Sequence, residues 1–122
     1  MVANCESLIS IDPSYENGGC YRILGNIYAQ APSFSLNPKN ITQDLDKSVE
    51  NLRQAVQVAP AYALNHLFLS RSLEAVGDKS AAVSELKEFD RLRTPALDNE
   101  YPQWKKERDQ LAQKLHLGNQ KI

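Results

Sequence analysis

The chain has 122 residues, of which 42% are hydrophobic and 24% are charged, and this composition predicts one small, soluble globular domain over residues 1–122. Its 14 Lys and Arg residues are balanced by 15 Asp and Glu residues, so the formal net charge of -1 argues against a nucleic acid partner. No apolar run approaches the roughly 20 residues that span a bilayer, and residues 1–13 lack the pattern of a secretion signal. We therefore expect neither a membrane span nor a signal in this chain.

The chain contains two cysteines, Cys5 and Cys20, which are too few for a disulfide-rich scaffold and fit no zinc-binding spacing. Two interpretations remain open. In the first, both cysteines are small buried hydrophobic residues. In the second, they form a single disulfide between adjacent helices, which would indicate an oxidising compartment.

The spacing of apolar residues predicts six helices, in chain order near residues 2–11, 19–30, 44–58, 61–76, 79–93 and 101–116. The first helix is short and ends before Pro13, because a proline disfavours helical backbone at the residue that precedes it. The second helix contains YRILGNIY, in which Tyr21, Leu24 and Tyr28 share one face. Gly25 stands beside them as a small residue, and it predicts a close crossing with another helix.

A long insertion separates the second and third predicted helices. It lies within residues 29–45, where Pro32 and Pro38 stop the helix and favour extended backbone. Thr42 or Asp44 can cap the helix that follows. Loops of this length are often functional or mobile.

Two parts of the chain share one pattern. The first copy combines YRILGNIY with SVENLRQAVQVAP, and the second combines HLFLSRSL with the apolar spacing that follows the Gly77-Asp78 turn. In both copies a small residue, Gly25 or Ser70, stands where two helices cross closely. Each helix pair has an apolar face that it cannot bury alone, so neighbouring pairs are expected to stack.

The last predicted helix, residues 101–116, has an apolar face and a charged back, as a terminal capping helix requires. Asp98 or Asn99 can cap its start, and Pro102 is tolerated in its first turn. Its apolar face consists of Trp104, Leu111, Ala112 and Leu115.

These motifs resemble the tetratricopeptide repeat, whose pattern is Trp-x2-Leu-Gly-x2-Tyr followed by Ala-x3-Phe and Pro. The resemblance implies an all-α fold of antiparallel helix pairs in a short right-handed solenoid, closed by a C-terminal capping helix. It divides the domain into four parts. These are the tail of a partial repeat at residues 1–13, a repeat with the inserted loop at 18–60, a second repeat at 61–95 and the capping helix at 100–117. The resemblance also implies a non-catalytic interaction module that binds a protein or peptide partner.

Part of the chain further resembles the repeat proteins associated with tripartite (TRAP-type) transporters. The resembling features are Gly18-Gly19, the Y-x-x-A-P sequence at 28–32 and LNHLFL at 64–69. Such relatives are commonly exported to the bacterial periplasm, where they are thought to act beside substrate-binding proteins. This resemblance implies an accessory role in transport and a location in the periplasm. If the resemblance does not hold, a cytoplasmic location is expected.

A stack of helix pairs is expected to curve, with the first helix of each pair on the concave face. The predicted partner-binding residues of this groove are Arg22, Asn26, Leu64, Leu67, Phe68 and Arg71. The arginines can pair with acidic or C-terminal groups of a peptide. Two alternatives remain open: the insertion or the capping helix covers Leu67 and Phe68, or the chain forms a homo-oligomer.

Catalytic chemistry is not indicated by the sequence. His66 stands at a packing position of the repeat, and the two histidines have no Cys or carboxylate at metal-ligand spacing. No serine lies in a G-x-S-x-G setting, and no Walker lysine follows Gly18-Gly19. We therefore predict no enzymatic activity, no metal and no cofactor.

Overall fold

A computed structural model describes residues 2–12, 15–30 and 44–115 of the chain. Within these ranges the chain forms helices and no strand, which confirms the predicted all-α class. The helices are, in chain order, α1 Val2–Ile11, α2 Tyr15–Gln30, α3 Leu45–Val58, α4 Ala63–Ala75, α5 Lys79–Leu92, α6 Pro95–Glu100 and α7 Pro102–Lys114.

Most predicted helices nearly coincide with the observed ones. The bounds of α2 include a left-handed turn at residues 16–18, and its right-handed part begins at Gly19, as predicted. The helix α6 was not predicted. The side chain of Thr94 caps α6, because its hydroxyl accepts a hydrogen bond from the backbone N–H of Leu97 at 3.2 Å. The caps predicted for the last helix, Asp98 and Asn99, are wrong. Both residues lie inside α6, and Tyr101 precedes α7 without a side-chain cap.

The two ends of the predicted insertion are joined in the structure. The backbone N–H of Asp44 donates to the carbonyl oxygen of Tyr28 at 2.9 Å. The Asp44 carboxylate accepts from the backbone N–H of Lys47 at 3.0 Å, so the cap predicted at Asp44 is confirmed. The alternative cap Thr42 and the rest of the insertion, residues 31–43, lie outside the described residues.

α2 begins with a left-handed turn. Glu16, Asn17 and Gly18 have φ angles of 53°, 56° and 76°, a region that residues other than glycine rarely adopt. Gly18 also has no room for a side chain, because a Cβ atom there would lie 3.1 Å from the Cα atom of Ala55. The turn therefore packs its backbone directly against α3.

The helices pack in pairs, α2 on α3 and α4 on α5, and α3 lies against α4. Small residues permit the close approach. A Cβ atom on Gly25 would lie 2.5 Å from the Cγ atom of Leu52, and the buried hydroxyl of Ser70 donates to the carbonyl oxygen of Ala82 at 2.6 Å. The close crossings predicted at Gly25 and Ser70 are present.

One hydrophobic core joins α3, α4, α5 and α7. Its buried members are Leu52, Leu67, Phe68, Leu69, Leu73, Ala82, Leu86, Phe89, Leu111, Ala112 and Leu115. Burying a large apolar side chain contributes roughly 1.5–3 kcal/mol relative to leaving it exposed. Because three of these residues belong to α7 or follow it directly, the last helix is part of the core.

A charged contact also fixes α7. Arg108 donates to both carboxylate oxygens of Asp90 in α5, through Nε at 3.1 Å and Nη2 at 2.9 Å. These hydrogen bonds raise the pKa of Arg108 although its partial burial opposes them. Arg93 pairs with the same Asp90 at 3.3 Å and with Asp98 of α6 at 3.6 Å. The network connects the last three helices.

Candidate functional site

α4 contacts both α2 and α7, and Arg71 marks the place where the three helices meet. Its Nη2 atom donates to Oδ1 of Asn26 in α2 at 2.9 Å, and its Nη1 atom lies 3.3 Å from Oε2 of Glu107 in α7. The guanidinium carbon also lies 4.9 Å from the centre of the Phe68 ring. We refer to the surface formed by Arg22, Asn26, Arg71 and Glu107 as the α2–α4–α7 face.

The Arg71–Glu107 pair remains in contact with solvent. The side chain of Arg71 is 24% exposed and that of Glu107 is 39% exposed. An ion pair with this exposure contributes only about 0–1 kcal/mol to stability. The pair therefore adds little to the stability of the fold.

Arg22 lies in a polar cluster at the start of α2. Its Nη1 atom donates to Oδ1 of Asn65 at 3.0 Å and to the carbonyl oxygen of Asn17 at 3.3 Å, and its guanidinium carbon lies 4.6 Å from the centre of the Tyr62 ring. Burial lowers the pKa of Arg22, whereas Tyr62 and Glu16 oppose that change. A guanidinium stays protonated in proteins, so the cluster contains a fixed, half-buried cation.

Asn65 organises this cluster, and the sequence analysis did not identify it. The residue is fully buried. Its Nδ2 atom lies within hydrogen-bond distance of the carbonyl oxygens of Asn17, Ala55 and Ala59, at 3.0, 3.1 and 3.4 Å, and these three acceptors share its two hydrogens. The available signal was an amide inside the apolar sequence LNHLFL, because a buried polar side chain must find hydrogen-bond partners.

Leu67 and Phe68 lie in the core rather than on an open groove. Their exposures are 1% and 4%. The Phe68 ring packs edge-to-face on Trp104 of α7, with ring centres 5.1 Å apart and an interplanar angle of 75°. Neither side chain can contact a partner in this arrangement. The element that covers Phe68 is α7, the capping helix of the alternative interpretation. Leu64 is half-buried and packs against the same core.

Cys5 of α1 and Cys20 of α2 form a disulfide, with their Cα atoms 5.0 Å apart. Of the two interpretations left open by the sequence, the structure agrees with the second, a single disulfide between adjacent helices. Together with Leu8 and Ile23, the two cysteines line a cavity of about 670 Å³ between α1 and α2. Arg22 of the α2–α4–α7 face also belongs to the lining of this cavity.

His66 is buried between α4 and α5. Its Nδ1 atom lies 3.1 Å from Oε2 of Glu85, and its Nε2 atom lies 2.6 Å from the carbonyl oxygen of Pro60. Its exposure is 4%, which agrees with the packing position predicted for it. The residue does not contribute to the α2–α4–α7 face.

Among the described residues, no group of three His, Cys, Asp or Glu side chains is placed to hold a metal ion. In the same ranges, no helix combines the length and the apolar character needed to cross a bilayer. No protein-family model matches the chain, and no curated protein matches it.

Proposed function

We propose that this chain is a tetratricopeptide-type interaction module that binds a peptide or protein partner on the α2–α4–α7 face. Two packing features support the repeat assignment. The close crossings at Gly25 and Ser70 fall at equivalent positions of the two sequence copies. In addition, α4 packs against α2, and α7 packs against α4 in the same way. A capping helix occupies this position in a stack of helix pairs.

One observation carries the binding proposal: an asparagine oxygen holds each arginine of the face in place. Oδ1 of Asn65 accepts from Arg22 at 3.0 Å, and Oδ1 of Asn26 accepts from Arg71 at 2.9 Å. A side chain that is already fixed loses less conformational freedom on binding. Because guanidinium groups pair with carboxylates through two parallel hydrogen bonds, the favoured ligand is an acidic side chain or a C-terminal carboxylate.

Selection from a displayed peptide library with free C-terminal carboxylates tests the proposal. We expect the selected peptides to contain acidic or terminal carboxylates, and we expect Arg71→Ala to weaken their binding about tenfold or more. Arg53→Ala is the matched control, because it removes an exposed arginine of α3, and it should bind normally. Failure to select any peptide, or equal binding by Arg71→Ala, would contradict the proposal.

Arg71 also connects three helices, so its loss could weaken binding indirectly. Thermal unfolding of Arg71→Ala separates the two effects, since a variant that melts near the wild-type temperature has kept its fold. Arg71→Lys provides a second comparison. It keeps the charge, but a single ammonium group cannot reproduce the paired contacts with Asn26 and Glu107, so we expect intermediate binding.

Self-association is a second candidate, because α1 and α2 expose two large apolar side chains. Ile11 is 81% exposed and Ile23 is 38% exposed, and a second copy of the chain could cover them. Light scattering over a range of concentrations distinguishes a 13.7 kDa monomer from a dimer. A dimer that Ile11→Glu with Ile23→Glu restores to a monomer would support this candidate, and a monomer at every concentration would remove it.

The resemblance to transporter-associated repeat proteins gives a third proposal, an accessory role beside a periplasmic substrate-binding protein. The Cys5–Cys20 disulfide supports it, because disulfides form and persist in oxidising compartments such as the periplasm. Fractionation of bacterial cells that express the natural gene tests the location. Recovery of the protein in the periplasm would support the proposal, and recovery in the cytoplasm with reduced cysteines would contradict it.

A further inference from the structure

α1 is attached to the rest of the protein differently from the other helices. It has 10 residues, and an isolated helix of this length is marginal in water. Its main packing partner in the described part of the chain is α2. Cys5 is buried in that contact, Leu8 and Ile9 are half-buried, and the side chains between them are exposed.

The contact between α1 and α2 is flanked by open space. The cavity of about 670 Å³ that contains Cys5 and Cys20 lies on one side of it. A second cavity of about 300 Å³ lies between α1, α2 and α3, and Ile9 and Leu24 belong to its lining. Side chains beside such space lose attractive contacts on that side. Among the described residues, the packing of α1 is therefore confined mainly to α2, and the disulfide adds a covalent attachment to it.

The start of α2 is held independently of α1. Gly18 packs against the backbone of Ala55 in α3, and the carbonyl oxygen of Asn17 accepts hydrogen bonds from Asn65 and Arg22. These contacts remain if α1 moves away. The left-handed turn at residues 16–18 thus separates α1 from a firmly held helix.

We infer that the Cys5–Cys20 disulfide is a redox-sensitive latch for α1, whose reduction releases this helix while α2 to α7 stay folded. Release opens the α1 side of the cavity that contains Leu24, which is only 4% exposed in the latched form. The reduced chain therefore presents an apolar stretch of α2 that the oxidised chain covers. The inference does not depend on the function proposed for the α2–α4–α7 face.

The chemistry is thiol–disulfide exchange with a small dithiol. A thiolate of the dithiol attacks one sulfur of the disulfide, and the other cysteine leaves as a thiolate. The second thiol of the reductant then attacks the mixed disulfide. Two electrons and two protons reach Cys5 and Cys20, and the reductant leaves as a cyclic disulfide. The cavity beside both cysteines gives the small reductant access to the bond.

Hydrogen exchange of the full chain, measured in oxidising buffer and with dithiothreitol, tests the latch. The two cysteines are 15 residues apart. Breaking a disulfide that closes a loop of this length changes the folding equilibrium constant by about a hundredfold. We therefore expect reduction to speed the exchange of amides 6–11, which have acceptors within the helix, by about that factor. The amides of α4 and α5 should keep their rates.

A variant that carries Cys5→Ser and Cys20→Ser is the matched control, and its α1 should exchange rapidly in both buffers. Three results would overturn the inference. They are continued protection of α1 after reduction, an equal loss of protection in α4 and α5, and the absence of a two-proton mass difference between the two forms. The second result would mean that the disulfide stabilises the whole domain rather than one helix.

Discussion

The imidazole of His66 in α4 lies 3.1 Å from a carboxylate oxygen of Glu85 in α5. Its second ring nitrogen lies 2.6 Å from the carbonyl oxygen of Pro60. Both neighbours accept hydrogen bonds, and only the doubly protonated ring donates to both. His66 therefore connects α4 to α5 most strongly as an imidazolium.

This arrangement predicts that stability depends on pH. Burial by itself lowers the pKa of His66, but the hydrogen bonds with Glu85 and Pro60 and the charges of Glu85 and Glu88 outweigh it, so the pKa is raised. Because the pKa of His66 is higher in the folded than in the unfolded protein, the protonated ring stabilises the fold fully at pH values below the unfolded-state pKa of about 6.5. This stabilisation is lost as the pH rises through the pKa of the folded protein. We expect the free energy of unfolding, measured with urea, to fall over that pH window.

His66→Gln is the control for this prediction and should remove most of the pH dependence. His116, which lies outside the described residues, is present in both proteins, so its contribution cancels in the comparison. An unchanged pH dependence in His66→Gln would show that another group is responsible.

The buried amide of Asn65 predicts a large effect on stability. Asn65→Ala leaves the carbonyl oxygens of Asn17 and Ala55 without this donor and removes the acceptor for Arg22. We expect a loss of about 1–3 kcal/mol in the free energy of unfolding. Asn51→Ala is the matched control, because its single bond to a helix carbonyl is exposed, and it should change stability by less than about 0.5 kcal/mol. Equal effects of the two changes would refute the role given to Asn65.

The crossing of α2 and α3 predicts that a larger residue in place of Gly25 destabilises the protein. An alanine Cβ would lie 2.5 Å from Cγ of Leu52, and relieving such a clash costs about 1–3 kcal/mol. Chemical denaturation of Gly25→Ala, Leu52→Ala and the double variant forms a thermodynamic cycle. We expect the double variant to lose less stability than the two single variants together. Strict additivity would mean that the two residues do not meet.

The position of Phe68 predicts that its truncation weakens the fold. The ring is 4% exposed and packs on Trp104, and removing such a ring costs about 3–5 kcal/mol. Leu64→Ala removes a half-buried side chain of the same helix and should cost less. If Phe68→Ala unfolds at the wild-type denaturant concentration, then the ring is not part of the core.

The sequence predicted the helices well because their apolar residues recur at helical spacing, as Leu52, Leu86 and Phe89 illustrate. It did not predict α6, whose short span has no complete apolar face and depends on the Thr94 cap. Periodicity places Phe68 on the inner side of α4, but it does not show whether another helix covers that side.

The polar part of the site was harder to predict for a different reason. Arg22, Asn26 and Arg71 were identified, because they follow the spacing of the first helix in each pair. Their partners Asn65 and Glu107 are contributed by other elements, at sequence separations that no local pattern records. Only the packing of α2, α4 and α7 brings these groups together.

Amide exchange with and without a selected peptide tests most directly whether a partner binds the α2–α4–α7 face. We expect the peptide to slow exchange in the parts of α2, α4 and α7 that contain Arg22, Arg71 and Glu107. At a peptide concentration near the wild-type Kd, the same segments of Arg71→Ala should be protected much less. Protection confined to α1, α3 or α5, or equal protection of Arg71→Ala and the wild type, would contradict the claim.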